Sequence, residues 1–218
     1  MRFLKIHFCL LFISCSFIFF NSTIHAQEIT GSGLWVGIDL KKKIAKKFDL
    51  NFCPQLRTVT SPPQFGSLLL ETGLDYDAAK NLTASLFYRI DFKPDAIQHR
   101  AYFDIAGDHK FNKKFTVGLR LRIQREFQIS KISDSYLRPK ISFKYKLKKK
   151  ITPYLSGELF YHIYYKGNEF DDFRFESGIN WDLKKNMSLK TYYLLDKEFN
   201  VAPNGYQHIA GITFGKDW

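Results

Sequence analysis

The sequence predicts an all-β fold: an antiparallel up-and-down transmembrane β-barrel of ten to twelve strands, preceded by an N-terminal signal peptide. Three observations predict it. Apolar and polar residues alternate with period two along almost the whole chain, aromatics reach 17% through 22 Phe, 12 Tyr and 3 Trp, and the first residues have the order of an export leader. With 45% hydrophobic and 25% charged residues over 218 positions, the composition suits one folded domain and excludes a disordered, collagenous or coiled-coil chain.

Arg2 and Lys5 precede an apolar run over 8–20, and small or polar residues follow to Ala26 and Gln27, which is the order of a signal peptide cleaved after Ala26. The run is about 13 residues long, whereas a helix spanning a bilayer needs roughly 20. Ile13, Ser14 and Cys15 weakly imitate a lipidation box, but Phe12 fits poorly and the residues beyond Cys15 stay apolar. The remaining 27–218 form a single barrel domain. Removing the leader takes Arg2 and Lys5 and no acid, so the net charge falls from +12 to +10 over 192 residues. It also removes Cys9 and Cys15, and the one cysteine left, Cys53, permits neither an internal disulfide nor a cysteine-rich metal site. Burial must therefore hold the exported chain together.

The alternation defines the strands. Over 82–92 the even positions are Leu82, Ala84, Leu86, Tyr88, Ile90 and Phe92, while the odd ones include Thr83, Ser85, Arg89 and Asp91. Such a segment is a strand with one oily and one polar face. The same test, applied along the chain, gives eleven candidate strands at 34–40, 47–58, 67–78, 81–92, 98–109, 114–128, 135–147, 151–165, 171–183, 187–198 and 206–216. Tight Lys- and Asn-bearing turns alternate with longer connections rich in Pro, Gly and acids, such as 61–66 and 168–172. One rim is thus short and basic and the other long and mixed, as in a meander. An even-stranded barrel with both ends on one side conflicts with a count of eleven, so 34–40 either lies outside the wall or is joined by an extra strand over 28–33.

Whether the oily face points outward decides between a membrane barrel and a soluble one. The polar face carries Arg57, Glu71, Arg89, Asp91, Arg100 and Asp104, then Arg120, Arg122, Glu126, Arg138, Lys140 and Glu158, and finally Arg174, Glu176, Lys190 and Asp196. The oily face carries almost no charge, Arg125 near a strand end being the main exception. Strand length and number favour a bilayer, which is crossed by tilted strands of about 9–11 residues. Tyr88, Phe92, Tyr161, Tyr165, Phe173, Trp181 and Tyr206 fall near strand ends on the oily face, where an interfacial aromatic belt belongs. The final segment, 211–218, closes on Trp218 and resembles the aromatic-ended last strand of bacterial outer-membrane barrels. The short turns are then periplasmic and the long loops external.

Trp35 followed by Asp39-Leu40 and a Lys-rich turn, Leu56-Arg57, Tyr88-Arg89, His99-Arg100, Arg120-Leu121-Arg122 and Arg138-Pro139-Lys140 together resemble the family catalogued as domain of unknown function 2490. That resemblance implies a Gram-negative outer-membrane barrel and no particular activity.

The inward charges are the candidate site: Arg57, Glu71, Arg89, Asp91, Arg100, Asp104, Arg120, Arg122, Glu126, Arg138, Glu158, Arg174 and Glu176. Opposite charges on neighbouring strands are expected to pair across the ladder, since an unpaired ion away from water is costly. Two uses fit: a paired lumen that stiffens a plugged wall protein, or a porin-like constriction for small polar or anionic solutes. Outer-membrane lipids are the expected partner in both. A soluble periplasmic barrel holding an apolar ligand is the alternative, and it requires the oily face inside. A lipid hydrolase would use His162, which points inward beside Glu158 with Ser156 two residues beyond. No nucleophile elbow or metal-binding His pair accompanies them, so neither catalysis nor a cofactor is expected. Nucleic acid is not expected as a partner, because the excess lysines sit in turns on one rim of an exported chain. Asn81 and Asn186 head formal glycosylation triplets but serve tight turns.

Overall fold

The computed structural model describes residues 31–60, 63–128, 133–163, 169–200 and 205–218. The signal peptide expected over 1–26, an extra strand before Gly31 and the ring of Tyr165 lie outside the described residues. Among the described residues eleven strands make up the wall: β1 (Gly31–Ala45), β2 (Phe48–Thr60), β3 (Pro63–Ala79), β4 (Leu82–Lys93), β5 (Ala96–Lys110), β6 (Phe115–Gln128), β7 (Asp134–Tyr145), β8 (Ile151–Ile163), β9 (Glu169–Asp182), β10 (Met187–Glu198) and β11 (Tyr206–Asp217). Period-two alternation suits the pleat, in which successive side chains leave opposite faces.

Each strand pairs antiparallel with its neighbour in the chain, and the barrel closes through a parallel pair. That seam joins β1 to β11 without interruption from Gly31↔Gln207 to Lys41↔Asp217. Eleven lies within the expected ten to twelve, and the expectation of an even number is corrected. An even number follows only when the first and last strands close antiparallel. In an up-and-down meander a parallel closing pair requires an odd number, and 34–40 belongs to the wall as the centre of β1. The backbone N–H of Trp218 donates to Lys41 O at 2.9 Å, and that of Lys43 donates to Trp218 O at 3.2 Å, extending the seam to the chain end.

Local chemistry explains the irregularities. The β1–β2 register passes from Gly37↔Gln55 to Leu40↔Phe52 without pairing Pro54, and the β7–β8 register passes from Leu137↔Tyr161 to Lys140↔Glu158 without pairing Pro139. Proline has no N–H to give a ladder. Lys185 and Asn186 both adopt φ of 57° in the β9–β10 turn. Two successive left-handed residues are what a tight hairpin of primed type needs, because its twist then follows that of the strands.

Apolar side chains cover the outside. Leu86 and Leu119 are 63% and 61% exposed, and Ile38, Ile105, Leu121, Ile123 and Ile212 are also exposed on this face. Aromatics edge the band. Near the short turns Phe48 meets Tyr76 at 5.0 Å, and Phe115 meets both Phe111 and Phe143. Near the long loops Tyr88 clusters with His99 and Phe127, Tyr161 meets Phe170 at 4.9 Å, and Tyr193 bonds His208. This distribution sets the oily face outside, whereas the soluble alternative with its apolar ligand needs that face inside.

Within the lumen, aromatic rings lie flat over glycines on adjacent strands. A Cβ on Gly73 would collide with the Phe87 ring, and one on Gly211 with the Tyr192 ring. These are directly opposed pairs, so only the absence of a side chain lets the ring cross its neighbour. Gly211→Ala is expected to lower stability by about 1–3 kcal/mol, as overpacking does. Denaturant unfolding of the purified variant checks it, and an unchanged midpoint would refute the stacking role.

Candidate functional site

The lumen holds the site. All thirteen charged residues expected to face inward stand on the inward parity, and the register brings most of them opposite a partner. Glu71 pairs directly with Arg89, Asp104 with Arg122, Arg100 with Glu126, and Arg174 with Asp196. Arg89 Nε donates to Glu71 at 2.6 Å, and Arg122 grips Asp104 through Nε at 2.8 Å and Nη2 at 2.7 Å. Arg100 bonds Glu126, and Arg174 bonds Asp196. Such bidentate geometry satisfies a buried carboxylate better than a lysine could.

Glu158 on β8 is the hub. Both Arg120 and Arg138 donate to its Oε1, and its side chain is 5% exposed. Arg138 also donates to Gln124 at 2.6 Å, and Gln124 passes the chain on to Glu126 at 2.8 Å. Gln98 completes the carboxylate of Glu126 at 2.6 Å. The network therefore runs without a break from β5 to β8.

Guanidinium planes also lie on rings. Arg122 sits 3.6 Å above Tyr102 and Arg138 3.8 Å above Phe160, with Arg174 4.9 Å from that same ring. Contact with a ring face offsets part of the water that a buried cation gives up. Arg57 departs from ion pairing: among the described residues no carboxylate lies within ion-pair distance of it. Its guanidinium instead lies 3.6 Å over Trp35 and donates to Gln55 at 2.9 Å. Asp91 is buried, and its Oδ1 has no hydrogen-bond partner among the described residues. The rings Trp35, Tyr102 and Phe160 are the part of the site that charge counting misses. Their signal is present in the sequence, since each is an aromatic on the polar parity of its strand.

These residues close the barrel from within. Leu69, Tyr102, Gln124, Arg138, Glu158, Leu194 and Ile209 project inward from seven different strands and are nearly inaccessible. Toward the short-turn rim the filling stops, leaving a cavity of about 520 Å³.

The structure separates His162 from Ser156. Its Nδ1 bonds Asp171 at 2.9 Å, its Nε2 bonds Asp134 at 3.1 Å, and its ring stacks on Tyr136 at 4.3 Å. Six residues along a strand place Ser156 about 20 Å away, where it lines the short-turn cavity. With both imidazole nitrogens held by carboxylates, His162 is a structural clasp between β7, β8 and β9.

An inside-out barrel, oily outside and ionic within, is the class of protein that this geometry defines. The chain belongs to the family described as "Protein of unknown function (DUF2490)", whose profile matches residues 32–207. None of the curated proteins matches the chain. Solved structures do match, among them one recorded as "Unveiling the Mechanism Behind the in-meso Crystallization of Membrane Proteins", with 13% identity and a TM-score of 0.40. That match covers 78% of this chain and 71% of the other.

Proposed function

We propose that this protein is a Gram-negative outer-membrane barrel, exported by its signal peptide, that serves as a stoppered, non-enzymatic wall protein and not as an open pore. The observation that carries the reading is the side-chain distribution: apolar groups face out between two aromatic edges, while paired ions fill the lumen. Lipid welcomes that exterior, and water would not. Strands of 12–17 residues are long enough to cross a bilayer at a tilt with some overhang. The short turns and Trp218 then face the periplasm. The lumenal arginines act as structural cross-braces, because each is matched by a carboxylate or a ring and little positive charge is left at mid-lumen to attract anions.

Planar-bilayer recording tests this. The reconstituted protein is expected to give no steady conductance steps across voltage and salt concentration. Reproducible steps that scale with salt would overturn the stopper and restore the porin-like reading.

A further inference from the structure

We propose that the short-turn cavity is a binding site for a compact oxyanion carrying two or more negative charges. The cavity, about 520 Å³, lies within the range of small-molecule sites. Its wall is cationic beyond what its acids neutralise. Lys140 and Lys190 share the single carboxylate of Glu176, at 3.4 and 2.7 Å. Arg120 shares Glu158 with Arg138. Lys144 reaches Asp108 only at 3.5 Å, in a pair that is exposed on both sides. Lys80 and Lys110 stand at the mouth and have no ion pair among the described residues.

A second observation points the same way. Arg120 Nε and Ser156 Oγ are both buried, both belong to cavity-lining residues, and neither has a hydrogen-bond partner among the described residues. Buried donors normally find acceptors, and both residues stand in the cavity wall, within a side-chain rotation of an acceptor bound there. Arg120 and Ser156 at the floor, with Lys140 and Lys190 at the side, present converging donors to a ligand that brings only acceptors. A phosphate or a carboxylate has that chemistry, and a neutral sugar would leave the surplus cations unmatched. The site lies below the ion-paired stopper, so a ligand enters only from the short-turn rim. The inference goes beyond the wall-protein reading, and binding in detergent solution does not depend on where the protein resides.

Titration calorimetry of the detergent-solubilised protein with inorganic pyrophosphate and, separately, with citrate tests the site. Saturable one-to-one binding of at least one is expected. Pyrophosphate alone identifies a phosphate ligand, citrate alone a carboxylate ligand, and both together a site that reads charge and size. Lys140→Gln and Lys190→Gln should each weaken binding by about tenfold, as the loss of a charge-assisted contact does. Ser156→Ala keeps every charge and should weaken it by about threefold or more, which settles the matter if a lysine variant fails to fold. No saturable binding of either anion, or affinities unchanged in the folded variants, would overturn the proposal.

Discussion

Glu158→Ala is expected to destabilise the barrel by about 3–5 kcal/mol, because it strands buried cations without their shared partner. Glu158 Oε1 accepts from both Arg120 and Arg138, and the Arg138 side chain is 4% exposed. Removing the carboxylate leaves Arg138 with Gln124 and the Phe160 ring, neither of which carries a balancing charge. The cost is that of an uncompensated ion, which exceeds the net worth of the original pair. The double variant Glu158→Leu with Arg138→Met should therefore recover at least about 1 kcal/mol relative to the sum of its single variants. Guanidinium unfolding followed by tryptophan fluorescence measures both. A loss below about 1 kcal/mol in Glu158→Ala, or strict additivity in the double variant, would remove the hub from the account.

The second large effect belongs to the outer face. Leu121 sits at the middle of β6, exposed, and opposes Ile105 on one side and Pro139 on the other. If that face meets hydrocarbon, Leu121→Arg should cost about 2–4 kcal/mol in phosphatidylcholine vesicles. Tyr145→Arg, at the short-turn edge, should cost only about 0–1 kcal/mol, since a long side chain there can reach the headgroups. The depth dependence is the diagnostic. Equal, near-zero effects at the two positions would describe a surface bathed in water.

Much of this architecture is legible in the alternation of the chain, for a definite reason. In an inside-out barrel the two faces differ sharply in charge, so period two survives even where propensity is weak, and all eleven strands fall where alternation places them. The run Lys41-Lys42-Lys43 is harder. It reads as a turn, yet it continues β1, where Lys41 turns inward to Asp49 and Asp75 at 3.1 Å each. Pro63 reads as loop but opens β3, a position where its missing N–H is tolerated. The parallel closure is not legible in the chain, because it joins segments at opposite ends of the sequence.

The site is legible by face and illegible by partner. Alternation tells which charges look inward, whereas pairing depends on register, and register is a property of two strands. Asp104 therefore finds Arg122 and not its chain neighbours. Arg57 resting on Trp35, and not on an acid, follows from the local β1–β2 pairing Trp35↔Arg57. How far the lumen is filled depends on side-chain volumes summed around the ring, which no local pattern contains.

A nitroxide label at Leu121, placed in a Cys53→Ala background and reconstituted in bilayers, tests the central claim most directly. Its electron spin resonance relaxation should be enhanced strongly by oxygen and weakly by a water-soluble nickel chelate, the signature of a side chain in hydrocarbon. The reverse order, with the chelate dominating, would contradict the claim that lipid surrounds this barrel.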